Sequence, residues 1–184
     1  EWLPKDSMEE YYWTPDRLVA SQSGNFHYFF YDTQHTVKDW IRESQKYQAQ
    51  AVRMMTEAYR RDTRMVTFAY HLFIDAFPEG WTKTLMDVDR NPKEAFFAYR
   101  NALAPVMINL RTDRFRFFAG EEAKLECWIC NDTDEKLEDL RIQYQVLEEG
   151  TVLYAGTGTA CIEACTSRFA GYLTFDVLER TARR

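Results

Sequence analysis

The sequence lacks the features that mark membrane proteins and nucleic-acid-binding proteins. Its apolar stretches all fall far short of the roughly 20 residues that a membrane-spanning helix needs, and no signal-peptide pattern opens it. The charge is acidic, with 23 Lys and Arg against 29 Asp and Glu. No basic stripe of the kind that contacts phosphates is visible. We therefore expect neither a membrane nor a nucleic acid as a partner.

Cysteine and histidine are scarce, with four Cys and three His. Cys127 and Cys130 have C-x-x-C spacing, but they lie in an alternating, strand-like pattern in which residues three apart point to opposite faces. Cys161 and Cys165 would stand about 13 Å apart along a strand, beyond the reach of a disulfide. We therefore predict no metal and no cofactor. A cross-strand disulfide remains open, and so does the redox compartment.

The first half of the chain has the pattern of helix, strand and helix. Residues 34–61 place apolar side chains at spacings of three and four, which predicts an amphipathic helix that Thr33 or Thr36 could cap. Residues 65–74 form a nearly continuous apolar run, typical of a parallel strand buried on both faces. A second helix is predicted over 92–103. This order is typical of an α/β barrel.

From residue 106 onward the apolar period changes from helical spacing to two. Short alternating segments separated by turn residues predict a β-sandwich of about six or seven strands over 106–177. Within it, the run Gly156-Thr157-Gly158 is interpreted as a turn between two strands. The predicted class is thus α+β, with 1–104 as one domain and 105–184 as the other. The aromatic segment 11–31 is expected to cover the buried strand, unless a second copy of the chain does so in a homo-oligomer.

Several segments, in this order and at this spacing, resemble family 2 glycoside hydrolases, above all their β-mannosidase branch. They are the helix segment Ser44–Arg53 with Glu57–Arg61, the run His71–Pro78 with Trp81, the segment Asp87–Ala98, the exit Ala104–Val106 and the turn Trp128–Thr133. The resemblance implies that 1–104 is the C-terminal part of a (β/α)8 barrel. It implies that 105–184 is an immunoglobulin-like sandwich, and that both ends of the chain are cut.

The resemblance also implies an activity, hydrolysis of β-linked sugars, that the chain alone would not perform. Family members act through two glutamates that would precede the helix at 34–61, and no Asn-Glu pair occurs in the sequence. We therefore name no catalytic residue. The expected partner of the whole protein is a β-mannoside or β-galactoside. The expected location is the cytoplasm or periplasm of a bacterium, in soluble form.

Three residues are candidates for contact with a sugar. His71 stands where the family has a tryptophan beneath the sugar, although a core histidine is the alternative. Asp75 follows the predicted strand at the barrel face that carries chemistry, although a structural role is the alternative. Trp81 could form an aromatic wall or merely anchor its loop. The unusual His71 also keeps open a second function, that of a non-catalytic carbohydrate-binding or interaction module.

Overall fold

A computed structural model describes residues 36–76, 83–114 and 116–178. Two helices come first, followed by five antiparallel strands, and no closed barrel is formed within these ranges. The elements are α1 Val37–Arg61, α2 Glu94–Ala102, β1 Val106–Arg111, β2 Glu122–Asn131, β3 Leu137–Glu148, β4 Thr151–Ile162 and β5 Thr166–Asp176. This mixture of helix and antiparallel sheet confirms the α+β class at that level.

The described residues divide into two compact units. The first takes the residues up to Tyr59 and those from Val66 to Leu103, and the second takes 60–65 and 104–178. The interpretation of 1–104 as part of a barrel and of 105–184 as an immunoglobulin-like domain stays a prediction. No helix in the described ranges is long and apolar enough to cross a membrane.

Helix α1 begins at the cap that the sequence predicts. The Thr36 hydroxyl accepts a hydrogen bond from the Asp39 amide at 3.1 Å and donates one to the Asp39 carboxylate at 2.8 Å. This exchange satisfies one of the amides that a helix start leaves without a partner. Arg60 and Arg61 lie in the last turn, where a cation suits the helix dipole. The helix predicted over 34–61 is therefore confirmed, and so is the second, observed as α2.

The core of the first unit joins helix α1 to helix α2. Val52, Leu85 and Ala95 are buried together, and partly buried side chains surround them: Ala49, Tyr70, Met86, Phe96 and Tyr99. Ring contacts extend this packing, with Tyr70 and Tyr99 at 5.5 Å between centroids. The apolar stripe of α1 therefore does what its period predicts, since it turns one helix face toward a core.

The buried strand predicted over 65–74 is wrong. Val66 is 96% exposed and Phe73 is 50% exposed. A parallel strand buried on both faces needs a paired strand along each edge. In the described part of the chain, this segment makes one isolated parallel bridge, from Ile74 to Met86. Without a second strand in the described ranges the segment keeps an irregular backbone, and Val66 and Phe73 stay in contact with solvent.

The second unit is a two-sheet structure of sandwich type. One sheet has the order β1-β2-β5 and the other is the pair β3-β4, with antiparallel pairing throughout. Strand β4 packs on β5 through Tyr154 and Phe175, whose ring centroids are 5.8 Å apart. Ile162 and Leu173 are buried. Inward apolar side chains from both sheets thus form the core, as the period of two predicts.

Two details of the predicted strands are wrong. The described ranges hold five strands in this unit rather than six or seven. The run 156–158, interpreted as a turn, lies in the middle of β4. The reason that 156–158 continues the strand is the residue that pairs with Gly156 on β3. Gly156 pairs with Tyr144, and a Cβ at Gly156 would collide with the Tyr144 ring. The glycine makes room for an aromatic neighbour instead of reversing the chain.

Residues 60–65 are tied to the strands of the second unit by polar contacts. Arg60 forms an ion pair with Asp132 at 2.8 Å, and its side chain is almost completely buried. Arg61 donates to the Asn109 amide oxygen at 2.7 Å, while the Ser167 hydroxyl donates to the Arg61 carbonyl at 2.7 Å. A helix end leaves its last carbonyls without intrahelical partners. Here a strand side chain supplies one of the missing donors.

All four cysteines lie in the described ranges and are free thiols. Burial raises the pKa of Cys127 and of Cys130, which makes both poor nucleophiles at neutral pH. Cys161 and Cys165 are exposed. The cross-strand disulfide that the sequence leaves open is therefore not formed.

Candidate functional site

Two of the three candidate sugar-contacting residues lie in the described structure, and they differ in their exposure to solvent. His71 is exposed, and its peptide bond to Leu72 is cis. Asp75 is buried, with 6% of its surface exposed. Trp81 and the neighbouring Glu79 lie outside the described residues. Within the described ranges, Asp75 is thus the candidate that points into the protein, and His71 is not the buried histidine that a core role would require.

The carboxylate of Asp75 is held by a lysine. Lys93 Nζ lies 3.5 Å from one carboxylate oxygen, and it also donates to the Thr84 hydroxyl at 2.5 Å. The Asp75 amide donates to the Met86 carbonyl at 3.2 Å, which fixes the backbone on which the carboxylate stands. The second carboxylate oxygen is buried and has no donor in the described structure. A buried charge is tolerated when a counter-charge accompanies it, and Lys93 is that counter-charge.

A chain of hydrogen bonds extends this ion pair to helix α1. The Gln48 amide donates to the Thr84 carbonyl at 2.9 Å and to the Tyr70 hydroxyl at 3.3 Å. That hydroxyl donates in turn to the Lys83 carbonyl at 2.6 Å. Burial raises the pKa of Tyr70, and the hydrogen bond from Gln48 opposes this effect. Tyr70 therefore stays a neutral donor across the physiological range.

Lys93 owes its position to the turn that precedes helix α2. The Asp87 carboxylate accepts bonds from the Asn91 amide at 2.7 Å and from the Asn91 side chain at 2.9 Å. These bonds lower the pKa of Asp87, with the Asn91 side chain as the first cause. Arg90 adopts a left-handed conformation at φ 65° to close the turn. Lys93 then occupies the N-cap position without making a side-chain cap.

A lysine at a helix N-cap is electrostatically unfavourable, because the positive end of the helix dipole repels a cation. Serine, threonine, asparagine or aspartate would be preferred there. The side chain of Lys93 instead contacts Asp75 and Thr84, which are both buried. The intrinsic residue preference at the N-cap position is thus overridden by the ion pair between Asp75 and Lys93.

This set, Gln48, Tyr70, Asp75, Thr84 and Lys93, is here named the Asp75 network. Lys93, Thr84, Gln48 and Tyr70 were not among the sequence candidates. Gln48 could have been noticed as a polar residue on the apolar stripe of α1, and Lys93 as a cation directly after Pro92. The other two give no local signal, since a tyrosine in an apolar run and a threonine in a mixed segment are common.

The chemistry available to the Asp75 network is limited. A retaining glycosidase needs two carboxyl groups about 5 Å apart, one protonated and one ionised. In the contacts described above, the charged partner of Asp75 is Lys93. The described ranges contain no group of three His, Cys, Asp or Glu side chains arranged to hold a metal. The contacts of the network fix the 70–76 and 83–93 segments to each other and to helix α1.

Comparison with known proteins adds a fold likeness. No family model matches the chain, and no curated protein matches it. Among solved structures, the exo-chitosanase CsxA of Amycolatopsis orientalis matches with a TM-score of 0.60 and 19% identity. A single-residue variant of that enzyme, in complex with PNP-beta-D-glucosamine, matches equally. Each alignment covers 80% of this chain and 17% of the other. The chain thus shares its fold with a small part of a glycoside hydrolase.

Proposed function

We propose that the chain is part of a glycoside hydrolase that acts on β-linked sugars. Within that enzyme the role of this chain is structural, and the catalytic glutamates belong to other segments. The observation that carries the proposal is the likeness to an exo-chitosanase over 80% of the chain. It agrees with the resemblance of Ser44–Arg53, His71–Pro78 and Asp87–Ala98 to family 2 glycoside hydrolases. The two observations differ in kind, because one rests on backbone geometry and the other on residue order.

The Asp75 network supports the non-catalytic part of this proposal. Lys93 is the charged partner that the structure places against Asp75, whereas a retaining glycosidase acts through two carboxyl groups. The network instead holds the backbone between Tyr70 and Asp75, the segment that carries His71. In the proposed whole protein, the exposed His71 would face the sugar, together with Trp81.

The substrate class is proposed as a β-linked pyranoside. The resemblance favours a β-mannoside or a β-galactoside, whereas the matched enzyme is named for chitosan and binds a β-glucosamine derivative. A difference between these sugars lies in one or two ring substituents, and a pocket distinguishes such groups through a few placed polar side chains.

The test is the coding sequence upstream of Glu1. The proposal expects an Asn-Glu pair at the end of one strand and a further glutamate at the end of a later one, since the chemistry needs two carboxyls. The protein encoded by that longer sequence should cleave at least one of the nitrophenyl β-mannoside, β-galactoside, β-glucuronide and β-glucosaminide. This chain alone should cleave none of them, even at high protein concentration.

Two outcomes would contradict the proposal. An upstream sequence without the two glutamates would favour the second candidate, a non-catalytic carbohydrate-binding module, which the exposed His71 in the tryptophan position also favours. Turnover by this chain alone that disappears in Asp75→Asn would show that the Asp75 network is itself an active site. Lys93→Met serves as the control in that assay, because it breaks the same ion pair without removing the carboxylate.

A further inference from the structure

A groove crosses the two-stranded sheet of the second unit. Its volume is about 570 Å³, within the range of roughly 300–1,000 Å³ that is typical of small-molecule sites. Each of the two strands contributes three consecutive residues, which are Gln143, Tyr144 and Gln145 from β3 and Ala155, Gly156 and Thr157 from β4. These residues pair directly across the ladder, so the groove lies over three successive rungs of the sheet. We name it the β3-β4 groove.

The groove offers hydrogen-bonding groups that the chain itself does not use. Gln143 and Gln145 are two residues apart on one strand and therefore share a face. Thr157 stands opposite Gln143, and all three residues are exposed. In the part of the chain that the structure describes, their side chains make no hydrogen bond to protein. Two amides and a hydroxyl, which can each donate and accept, are thus available to a ligand.

Across the two strands of the groove, small residues stand opposite large ones. Ala155 faces Gln145, and Gly156 faces Tyr144. The Tyr144 ring occupies the space that a Cβ at Gly156 would take, so the glycine is what allows the ring to lie across the neighbouring strand. Because successive residues of a strand point to opposite faces, the Tyr144 ring lies on the other face of the sheet, and the groove face carries the side chains of Gln143, Gln145, Ala155 and Thr157.

No charged residue lines the β3-β4 groove. An anion or a cation bound there would lose water without gaining a counter-charge, which is unfavourable. An uncharged ligand that donates and accepts at many positions fits better, and sugar hydroxyls do both. An extended peptide fits less well, because Ala155 is the apolar side chain on the groove face that could contact the side chains of a peptide.

We propose that the β3-β4 groove binds an uncharged oligosaccharide, with Gln143, Gln145 and Thr157 as the hydrogen-bonding residues. This inference goes beyond the proposed function, since it concerns the second unit and does not depend on the Asp75 network. It would hold equally if the parent protein were no hydrolase. A site of this kind would keep a polysaccharide on the protein independently of any catalytic step.

The experiment is a titration of the ¹⁵N-labelled chain with cellotetraose, followed by NMR. The expected result is saturable shifts in the backbone amides of β3 and β4 and in the side-chain amides of Gln143 and Gln145. Sorbitol tests whether any polyol suffices, glucose tests whether one ring suffices, and a glucosamine tetramer tests whether a cationic chain is excluded. The tetraose should bind at least tenfold more tightly than sorbitol or the glucosamine tetramer.

Variants assign the contacts. Gln143→Ala combined with Gln145→Ala should weaken binding at least tenfold, whereas Gln50→Ala, an exposed glutamine on α1, is the matched control and should not change it. Thr157→Val should weaken binding, and Thr157→Ser should preserve it because the hydroxyl remains. The amide spectrum of each variant reports whether it is folded.

The proposal is overturned by any of three results. The first is an absence of shifts at the solubility limit of the tetraose. The second is equal binding of sorbitol, which would show non-specific solvation of the groove. The third is unchanged affinity of the tetraose for the folded glutamine and threonine variants. An unrelated extended peptide that shifts the same amides, when the tetraose does not, is an instance of the first result.

Discussion

Replacement of Lys93 by methionine tests the central contact of the first unit. Methionine keeps an unbranched stem but removes the ammonium group that lies 3.5 Å from Asp75, a residue that is 6% exposed. At that distance and an effective dielectric constant of about 20, the attraction is roughly 5 kcal/mol before desolvation is subtracted. Removal of one partner from a buried pair typically costs about 3–5 kcal/mol, because the other charge stays behind.

We expect Lys93→Met to lower the free energy of unfolding of the first unit by about 3 kcal/mol. The lower end of that range applies because the Lys93 side chain is partly exposed and its charge stands at an unfavourable helix N-cap. The double variant with Asp75→Asn should recover part of the loss, since a neutral amide no longer needs a counter-charge. A residual cost of roughly 1 kcal/mol is expected for the lost hydrogen bonds.

Hydrogen exchange measured by mass spectrometry can separate the two units. Lys93→Met should accelerate exchange in peptides from 83–102, and peptides from 137–162 in the second unit serve as the internal control. Urea unfolding then gives the free energies. A cost below about 1 kcal/mol, or a double variant no more stable than Lys93→Met alone, would refute the role assigned to the ion pair.

Three further predictions concern other contacts. Gly156→Ala should destabilise the second unit by about 1–3 kcal/mol in urea unfolding, because its Cβ meets the Tyr144 ring, and the loss should shrink when Tyr144 is also replaced by alanine. Asn131→Ala should cost about 2–4 kcal/mol by the same measurement, since that buried amide bonds two carbonyls and accepts two further bonds; no loss would show that water replaces it. The pKa of Asp62, lowered to about 2 by hydrogen bonds from Arg64, should return toward 3.8 in Arg64→Ala by NMR titration. Because its pKa is depressed, this contact favours the folded chain above about pH 4 and is lost as the pH falls toward 2.

The helices could be predicted because their signals are local. A cap at Thr36, a stripe with a period of 3.6 and two arginines at the end all lie within one segment, and the structure confirms each of them. The strands of the second unit could be predicted for the same reason, since alternation is also local. Their number could not, because Gly156 serves in a turn or in a strand according to what lies across from it, and the partner Tyr144 belongs to another strand.

The candidate site could be predicted only in part. Asp75 was identified from its place after an apolar run, but its partner Lys93 lies far along the chain, after the turn that Asp87 and Asn91 close. Nothing local indicates that a lysine at an N-cap will face inward, and intrinsic preference argues against it. The pairing depends on tertiary structure, and so do the bonds from Gln48 to Thr84 and Tyr70.

The run 65–74 shows how an apolar composition that is typical of a buried strand can lead to a wrong prediction. Its residues have the composition of a strand buried on both faces, yet Val66 and Phe73 are exposed. Apolar composition indicates that a segment is suited to burial, but burial itself requires neighbours. The described ranges provide one bridge, at Ile74. Exposed apolar surface of this kind is typical of an interaction site, so we expect light scattering of the isolated chain to show self-association. Replacement of Val66 and Phe73 by serine should abolish the self-association, and a monomeric wild-type chain would contradict this reasoning.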